Sequence, residues 1–377
     1  MMTKEALYIG IMSGTSLDGV DTALVSIKDR DINLLASDFL SYPESLKTQV
    51  LAICHGQETN LKHIGELDHQ LGVLYAEAVN SLLSKTTYTA HDIAAIGNHG
   101  QTVFHQPDGA IRFTTQLGDN NLLATLTSID TIGDFRRKDM ALGGQGAPLV
   151  PAFHRYLFAD SDSTQVILNI GGISNVSILQ PNGEVIGFDT GPGNVLLDHW
   201  CSHAFSLPFD KDAQLAAQGN VITHLLDEML KDDYLKRPAP KSTGREHYHE
   251  QWLKQCLAAI STPMNKHDVL RTLTEFTALT ITNAIEKYPI GTAPKLLVCG
   301  GGANNPIIMK RLSELLKGWN VAPTDSEAIS GDYMESMAFA WLAHCYLNKI
   351  PSNLPSVTGA SKAVPLGVLY SADQEPL

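Results

Sequence analysis

One plan occurs twice in the chain and limits its fold more than any other feature: an apolar strand, a glycine-rich polar turn, and a second apolar strand. Leu7-Tyr8-Ile9-Gly10-Ile11 runs through Met12-Ser13-Gly14-Thr15-Ser16-Leu17-Asp18-Gly19 into Val20-Asp21-Thr22-Ala23-Leu24-Val25-Ser26-Ile27. About 157 residues later, Val166-Ile167-Leu168-Asn169-Ile170, Gly171-Gly172-Ile173-Ser174-Asn175 and Val176-Ser177-Ile178-Leu179 repeat it. β-Branched and apolar runs around such a turn read as hairpins. Two lobes that each open with a hairpin follow, and 377 residues suffice for about two domains.

Between and after the hairpins the apolar period lengthens. Ile64, Leu67, Leu71, Leu74, Ala78 and Leu82 recur at steps of three and four, which predicts a helix near 61–84. The same spacing predicts helices at 220–231 and 269–287, with Leu270, Leu273, Thr277, Ile281 and Ile285 on the buried face. Short apolar runs at 94–97 and 295–299 read as strands, and 307–316 and 336–347 as helices. Alternating strands and helices argue an α/β fold. The Pro-containing stretch 236–244 reads as a long loop of the second lobe.

Composition removes several functions. With 44% apolar and 18% charged residues the chain is ordinary globular material. Its 40 acidic against 27 basic side chains give a net charge of −13, which repels nucleic acids and anionic membrane surfaces. Cys54, Cys201, Cys256, Cys299 and Cys345 stand singly and odd in number, as reduced thiols in a cytoplasmic protein would. Residues 1–11 are too short and too interrupted for a secretory signal, and no run approaches the ~18 apolar residues of a membrane span.

The glycine turns carry the first chemistry. Binding a phosphate requires converging backbone N–H groups with no Cβ in the way. Gly14-Thr15-Ser16 adds two hydroxyls, and Asp18 is close enough to hold a hydrated divalent cation beside a phosphate. The bland alternative is a hairpin whose glycines only permit positive φ. Three glycine-rich strand ends in one chain, at 14–19, 171–172 and 300–302, favour ligand binding, because ligands of α/β proteins collect at such ends. No Gly-Lys pair is present, so a P-loop is excluded, and neither the protein-kinase motifs nor a complete G-x-G-x-x-G occurs.

Asp189, framed in Gly187-Phe188-Asp189-Thr190-Gly191-Pro192-Gly193-Asn194, reads as a carboxylate on a rigid loop between a strand and a helix starting near Asn194. It can serve as a general base or merely as an Asx turn. Either Arg136 or Arg137 could clamp an anion bidentately, or sit in a solvated ion pair. His99 and His105 bracket Gln101 in what reads as a polar loop, without the partners a metal would need. His247 and His249 read as a surface pair. Glu335 opens the last long helix, as a dipole partner or a substrate contact.

Together these segments resemble the bacterial 1,6-anhydro-N-acetylmuramic acid kinases, of the sugar kinase, Hsp70 and actin superfold. The likeness runs through Ile11 to Asp21, Gly100-Gln101-Thr102-Val103, Gly118-Asp119, Asp134-Phe135-Arg136, Gly143-Gly144-Gln145-Gly146-Ala147-Pro148, Asn169 to Asn175, Gly187 to Asn194, Lys241-Ser242-Thr243-Gly244-Arg245-Glu246 and Gly300-Gly301-Gly302-Ala303. It implies a two-lobed, actin-like ATPase with ribonuclease H-like domains and an active-site cleft between the lobes. The lobes are expected at 1–140 and 141–351, with a tail from 352 to 377 packing on the first.

The resemblance also implies an assignment of residues. Gly14, Thr15, Ser16, Leu17, Asp18, Gly19, Val20 and Asp21 form one phosphate loop, Gly171, Gly172 and Asn175 the other, and Gly300, Gly301, Gly302 and Ala303 the adenosine contact. The catalytic carboxylate falls on Asp189; Arg136 orients it or stabilises the sugar end; Gln101, Arg136, Gly144 and Glu335 contact the sugar; and Asp18 holds Mg²⁺ through water. The implied reaction uses ATP and water to open the 1,6-anhydro bridge of 1,6-anhydro-N-acetylmuramic acid and phosphorylate O6. Its product is N-acetylmuramic acid 6-phosphate, formed in cell-wall recycling. The partners are then an amino sugar and ATP, with no nucleic acid or membrane, and a homodimer is compatible with the sequence. A kinase for an ordinary hexose and an ATP-dependent binding protein of the actin type are the competing classes.

Overall fold

Both hairpins form where the apolar runs place them, and each starts a sheet of the same plan. The computed structural model describes residues 5–14, 17–29, 31–239, 241–244, 246–260, 262–327 and 329–372. The chain divides into two compact units, Met1–Leu157 with Tyr333–Leu377, and Phe158–Asp332.

In the first unit, β1 (Ala6–Ser13), β2 (Gly19–Lys28) and β3 (Asp31–Ser41) form an antiparallel meander. β4 (Ile93–Asn98) then lies parallel to β1 on its other side, and β5 (Gln101–Gln106) and β6 (Phe113–Leu117) make a separate hairpin. β7 (Thr131–Gly133) runs parallel to β4, giving the order β7-β4-β1-β2-β3. Alternation along β1 decides what covers each face. Ile9 and Ile11 enter a core with Leu67, Leu71 and Tyr75 of helix Leu61–Ser84. Tyr8 and Gly10 face helix Met334–Leu347 instead: the Tyr8 ring meets that of His344 edge-on, and a Cβ on Gly10 would lie 1.7 Å from the Ser336 carbonyl oxygen. Gly97 of β4 repeats this contact, 2.0 Å from Phe339 O. Glycine inside a strand here marks a helix backbone lying against the sheet.

In the second unit, β8 (Gln165–Ile170), β9 (Ile173–Leu179) and β10 (Val185–Pro192) form the meander, and β11 (Lys295–Cys299) and β12 (Asn320–Pro323) the parallel pair. The order β10-β9-β8-β11-β12 matches the first sheet strand for strand and direction for direction. This is the ribonuclease H-like arrangement of actin-type ATPase lobes. Val166, Leu168 and Ile170 pack with Leu270, Leu273, Phe276 and Ile281 of helix Lys266–Ile285.

The chain then returns to the first unit, where β13 (Val368–Tyr370) pairs antiparallel with β7 and closes that edge. The carboxylate of Asp139, fully buried, holds this return in place: it accepts from Asn353 Nδ2 and Thr358 Oγ1, both 2.8 Å, and from the Gly146 N–H at 2.9 Å. The unit boundary therefore differs from the one expected near 140. Residues 141–157 stay with the first unit, and so does helix Met334–Leu347, which the sequence order assigned to the second. A helix that is apolar all round carries no mark of which sheet it covers; the marks are Gly10 and Gly97, some 240 to 330 residues away.

Candidate active site

In the first unit the chemistry gathers at the C-terminal end of β1. Beyond Ser13, Leu17 has φ +53° with its side chain in the core, and its N–H reaches Gly14 O at 3.3 Å. Gly19 gives room for the Phe39 ring, 2.3 Å from where a Cβ would stand, and Val20 and Asp21 continue into β2. Thr15 and Ser16 lie outside the described residues. Asp18 is exposed and pairs with Lys47 at 3.1 Å. Ser13 Oγ donates to Gln101 Oε1 at 2.6 Å and lies 2.7 Å from Tyr42 OH, so Gln101 is buried in a hydroxyl network under the turn. The run 101–106 is strand β5, not the polar loop expected around His99 and His105; its polar residues pair with β6.

Arg136 and Arg137 separate clearly. Arg137 is spent on Asp134, with Nε 2.8 Å from both carboxylate oxygens and its side chain mostly in solvent. Arg136 points inward: Nη1 donates to Gly146 O at 2.8 Å, while Nε and Nη2 lie 3.1 and 2.8 Å from His99 Nε2. Two N–H donors on Nε2 leave His99 its proton on Nδ1. Burial and the neighbouring guanidinium hold the imidazole well below its usual pKa, so it is neutral. Burial also lowers Arg136 to about 10, opposed by the carboxylate of Glu335. Glu335 in turn is pushed up by burial and drawn down by Arg136. A half-buried guanidinium and carboxylate that feel each other's charge can together clamp a polar ligand. Gly144 serves Asp139, whose Oδ2 would lie 2.2 Å from a Cβ there.

In the second unit, pairing register assembles residues far apart in sequence. Cys299 opposes Asn169, Asn169 opposes Asn175, and Asn175 opposes Asp189, giving one row across β11, β8, β9 and β10. Directly opposed residues share a face with Cβ atoms about 5 Å apart. The second and third glycine segments meet at this row. The Gly171 and Gly172 carbonyls accept from Asn194, Gly193 and Val195 N–H groups at 2.8–3.0 Å, fixing the start of helix Val195–Phe205. Gly300, at φ +77°, leaves 2.3 Å to Asn169 Oδ1, and Gly302 leaves 2.2 Å to Ile170 Cγ2. Gly301 and Ala303 lie in the same short turn. Where this turn runs into helix Pro306–Leu315, a cavity of about 560 Å³ is lined by Arg271, Glu275, Pro306, Ile307 and Arg311, with Arg311 held bidentately by Glu275 at 2.7 and 2.8 Å.

Asp189 lies inside β10, not on a loop after it. A register shift between Asp189 and Gly191 bulges the strand, and this bulge, not a loop, presents the carboxylate. Its Oδ2 accepts from Ser242 Oγ at 2.8 Å and Thr243 N–H at 2.9 Å. Burial raises its pKa; those two donors and Lys241 pull it back, while Glu246 pushes it up. The Asx-turn alternative fails, because both donors come from more than 50 residues away. His247 and His249 have separate half-buried tasks: His247 binds Asp232 at 2.8 Å, and His249 caps helix Glu250–Ala258 through Trp252 N–H.

Comparison with known proteins fits this arrangement to one family. The anhydro-N-acetylmuramic acid kinase family model matches residues 6–372. The anhydro-N-acetylmuramic acid kinase of Vibrio parahaemolyticus is 59% identical over 370 residues, covering 98% of this chain and 100% of the relative. That of Vibrio vulnificus (strain YJ016) is 57% identical, with 98% and 99% covered, and that of Haemophilus influenzae 50% identical, with 98% and 99% covered. The chain belongs to the anhydro-N-acetylmuramic acid kinase family. It is an enzyme, a phosphotransferase acting on an alcohol group of an amino sugar, with ATP as phosphoryl donor. No described helix is long and apolar enough to cross a membrane.

For a member of this family, sequence reasoning passed over His99, Tyr234, Ser242 and Thr243 as site residues. His99 was weighed only as a metal ligand; its contact with Arg136 is made by folding, across 37 residues. Ser242 and Thr243 stood in a quoted motif, but nothing in their spacing points to Asp189.

Proposed function

We propose that the enzyme opens the 1,6-anhydro bridge of 1,6-anhydro-N-acetylmuramic acid with water and phosphorylates O6, giving N-acetylmuramic acid 6-phosphate and ADP, in recycling of the cell wall. Asp189 is the general base. It takes a proton from a water molecule as that oxygen bonds to the anomeric carbon; the bridge C–O bond breaks, and O6 receives the γ-phosphoryl group while ADP leaves. A single observation carries the reading: a half-buried carboxylate with a raised pKa, fixed at a strand bulge in the row of paired residues that runs up to Gly300 through Asn169. A carboxylate whose pKa is raised from the ordinary aspartate value takes up a proton more readily.

Gly14 to Asp21 and the Gly171-Gly172 turn with Asn175 serve as phosphate loops through their N–H groups. Gly300 to Ala303 form the adenosine contact, supported by the adjoining cavity, which is of a size that suits a nucleobase. Gln101, Gly144, Arg136 and Glu335 serve the sugar, the last two as a half-buried guanidinium and carboxylate that offer donors and acceptors to its polar substituents. Mg²⁺ fits as a companion of the triphosphate rather than as a resident ion. Among the described residues no three His, Cys, Asp or Glu side chains cluster as ligands, and Asp18 is a single exposed carboxylate, which suits an ion that keeps most of its waters. When bound, Mg²⁺ neutralises charge on the transferring phosphoryl group.

The test is ADP release from ATP with the anhydro sugar in ¹⁸O-water. One ADP per sugar, with ¹⁸O at the anomeric hydroxyl, is expected. A phosphorylated sugar with its bridge intact would sink the coupled reaction and point to an ordinary sugar kinase.

A further inference from the structure

We propose that the segment 241–244 is a positioning clip for Asp189: Ser242 and the Thr243 amide hold Oδ2, and Oδ1 is left as the oxygen that takes the proton. The inference rests on Asp189 being the general base and names the groups that make it one. Both clip bonds go to the same oxygen, 2.8 Å from Ser242 Oγ and 2.9 Å from Thr243 N–H. Among the described residues no hydrogen bond reaches Oδ1. A carboxylate held by one oxygen keeps its second lone-pair set aimed and unoccupied, as proton abstraction in a fixed geometry requires.

The clip is itself fastened by a closed circuit of three residues. The Asp189 N–H donates to Lys241 O at 3.1 Å, extending β10 by one backbone bond. Lys241 Nζ donates to the Tyr234 and Leu235 carbonyls, both 3.2 Å, at the end of helix Asp233–Lys236, and lies 4.6 Å from the Tyr234 ring centroid. Tyr234 OH completes the circuit by donating to Asp189 O at 2.6 Å. A loop kept only for shape needs none of this; here two links end on the backbone of one carboxylate residue, and Lys241 ties their far ends together. When the water O–H bond breaks, its proton goes to Oδ1 and its electron pair forms the new bond to the anomeric carbon, while Oδ2 keeps both donors and stabilises the remaining charge.

Losing a donor to the charged form raises a carboxylate pKa. Among the described residues, the other charged or titratable groups facing Asp189 are Lys241 and Glu246 on the loop and Tyr234 on its helix; opposite it on β9 stands the neutral Asn175, and helix Lys266–Ile285 presents Thr280 near Gly191. None replaces the Ser242 hydroxyl.

The experiment measures kcat and kcat/KM for the anhydro sugar between pH 4 and 9. Ser242→Ala should move the acidic limb upward by about one pH unit, with KM for ATP unchanged and activity largely recovered at high pH. Ser242→Thr, which keeps the hydroxyl, should restore the original limb. If Asp189→Asn is inactive while the Ser242→Ala limb stays where it was, the clip is overturned. An active Asp189→Asn overturns the base assignment itself, whatever Ser242→Ala does. Should Ser242→Ala not fold, Ser242→Cys keeps the volume with a weaker donor, and an unmoved limb there has the same meaning.

Discussion

At the scale of residues, Asp189 shows how environment and chemistry oppose one another. Its raised pKa means that burial disfavours the charged form more than Ser242 and Thr243 favour it. The folded protein therefore holds this proton more tightly than the unfolded chain. The stability gained is complete below the unfolded pKa and lost as pH rises through the folded one. Asp189→Asn keeps an acceptor for both donors and removes the desolvated charge. At pH 8 its melting temperature should exceed that of the parent, on the order of 1–4 °C, with the gap closing as pH falls through the carboxylate range. Turnover should fall about 10²–10⁴-fold with ATP binding retained. In the parent enzyme the acidic limb should lie above the ordinary aspartate value if Asp189 is the base proposed above, since it must be ionised to act. A limb at or below pH 3.8, the unshifted value, would contradict the burial that raises it.

Elements add a constraint that single side chains do not show. Helix Met334–Leu347 lies so near β1 and β4 that only glycine fits at positions 10 and 97. Gly97→Ala would place a methyl 2.0 Å from Phe339 O, and neither backbone can yield without moving a strand or a helix. We expect a loss of about 3 kcal/mol in urea denaturation. Activity per folded molecule should also drop, because the same helix carries Glu335 beside Arg136. A loss under about 1 kcal/mol, below the usual range for overpacking, would mean the helix is not seated so tightly. The elements themselves were largely legible in the sequence: helix Leu61–Ser84 and strand Lys295–Cys299 fall where their apolar spacing put them. Strand β5 and the placement of Asp189 within β10 were not, since polar and glycine residues mimic loops when a bulge or a small hairpin holds them.

For the whole molecule, the order of the chain governs how each unit can form. The second unit is one continuous segment, Phe158–Asp332, whereas the first needs both Met1–Leu157 and Tyr333–Leu377. A fragment spanning 158–332 should therefore unfold cooperatively by itself. A fragment ending at 157 should not, because it lacks the helix over Gly10 and Gly97 and the groups that satisfy buried Asp139. Adding the 333–377 peptide should restore cooperative melting; if fragment 1–157 melts cooperatively alone, the return segment is an accessory and not part of the core.

The sequence by itself determined the α/β class, the duplicated hairpin plan, most element positions and, through its motifs, the family. These depend on local periodicity and on turn chemistry, which act over a few residues and survive in any window of the chain. Tertiary structure alone decided that helix Met334–Leu347 belongs to the first unit, that Arg136 rather than Arg137 points inward, and that Ser242 and Thr243 hold Asp189. Each of those facts is a contact between segments 30 or more residues apart, set by strand register and by which face of a sheet a helix can cover, and neither leaves a period in the sequence.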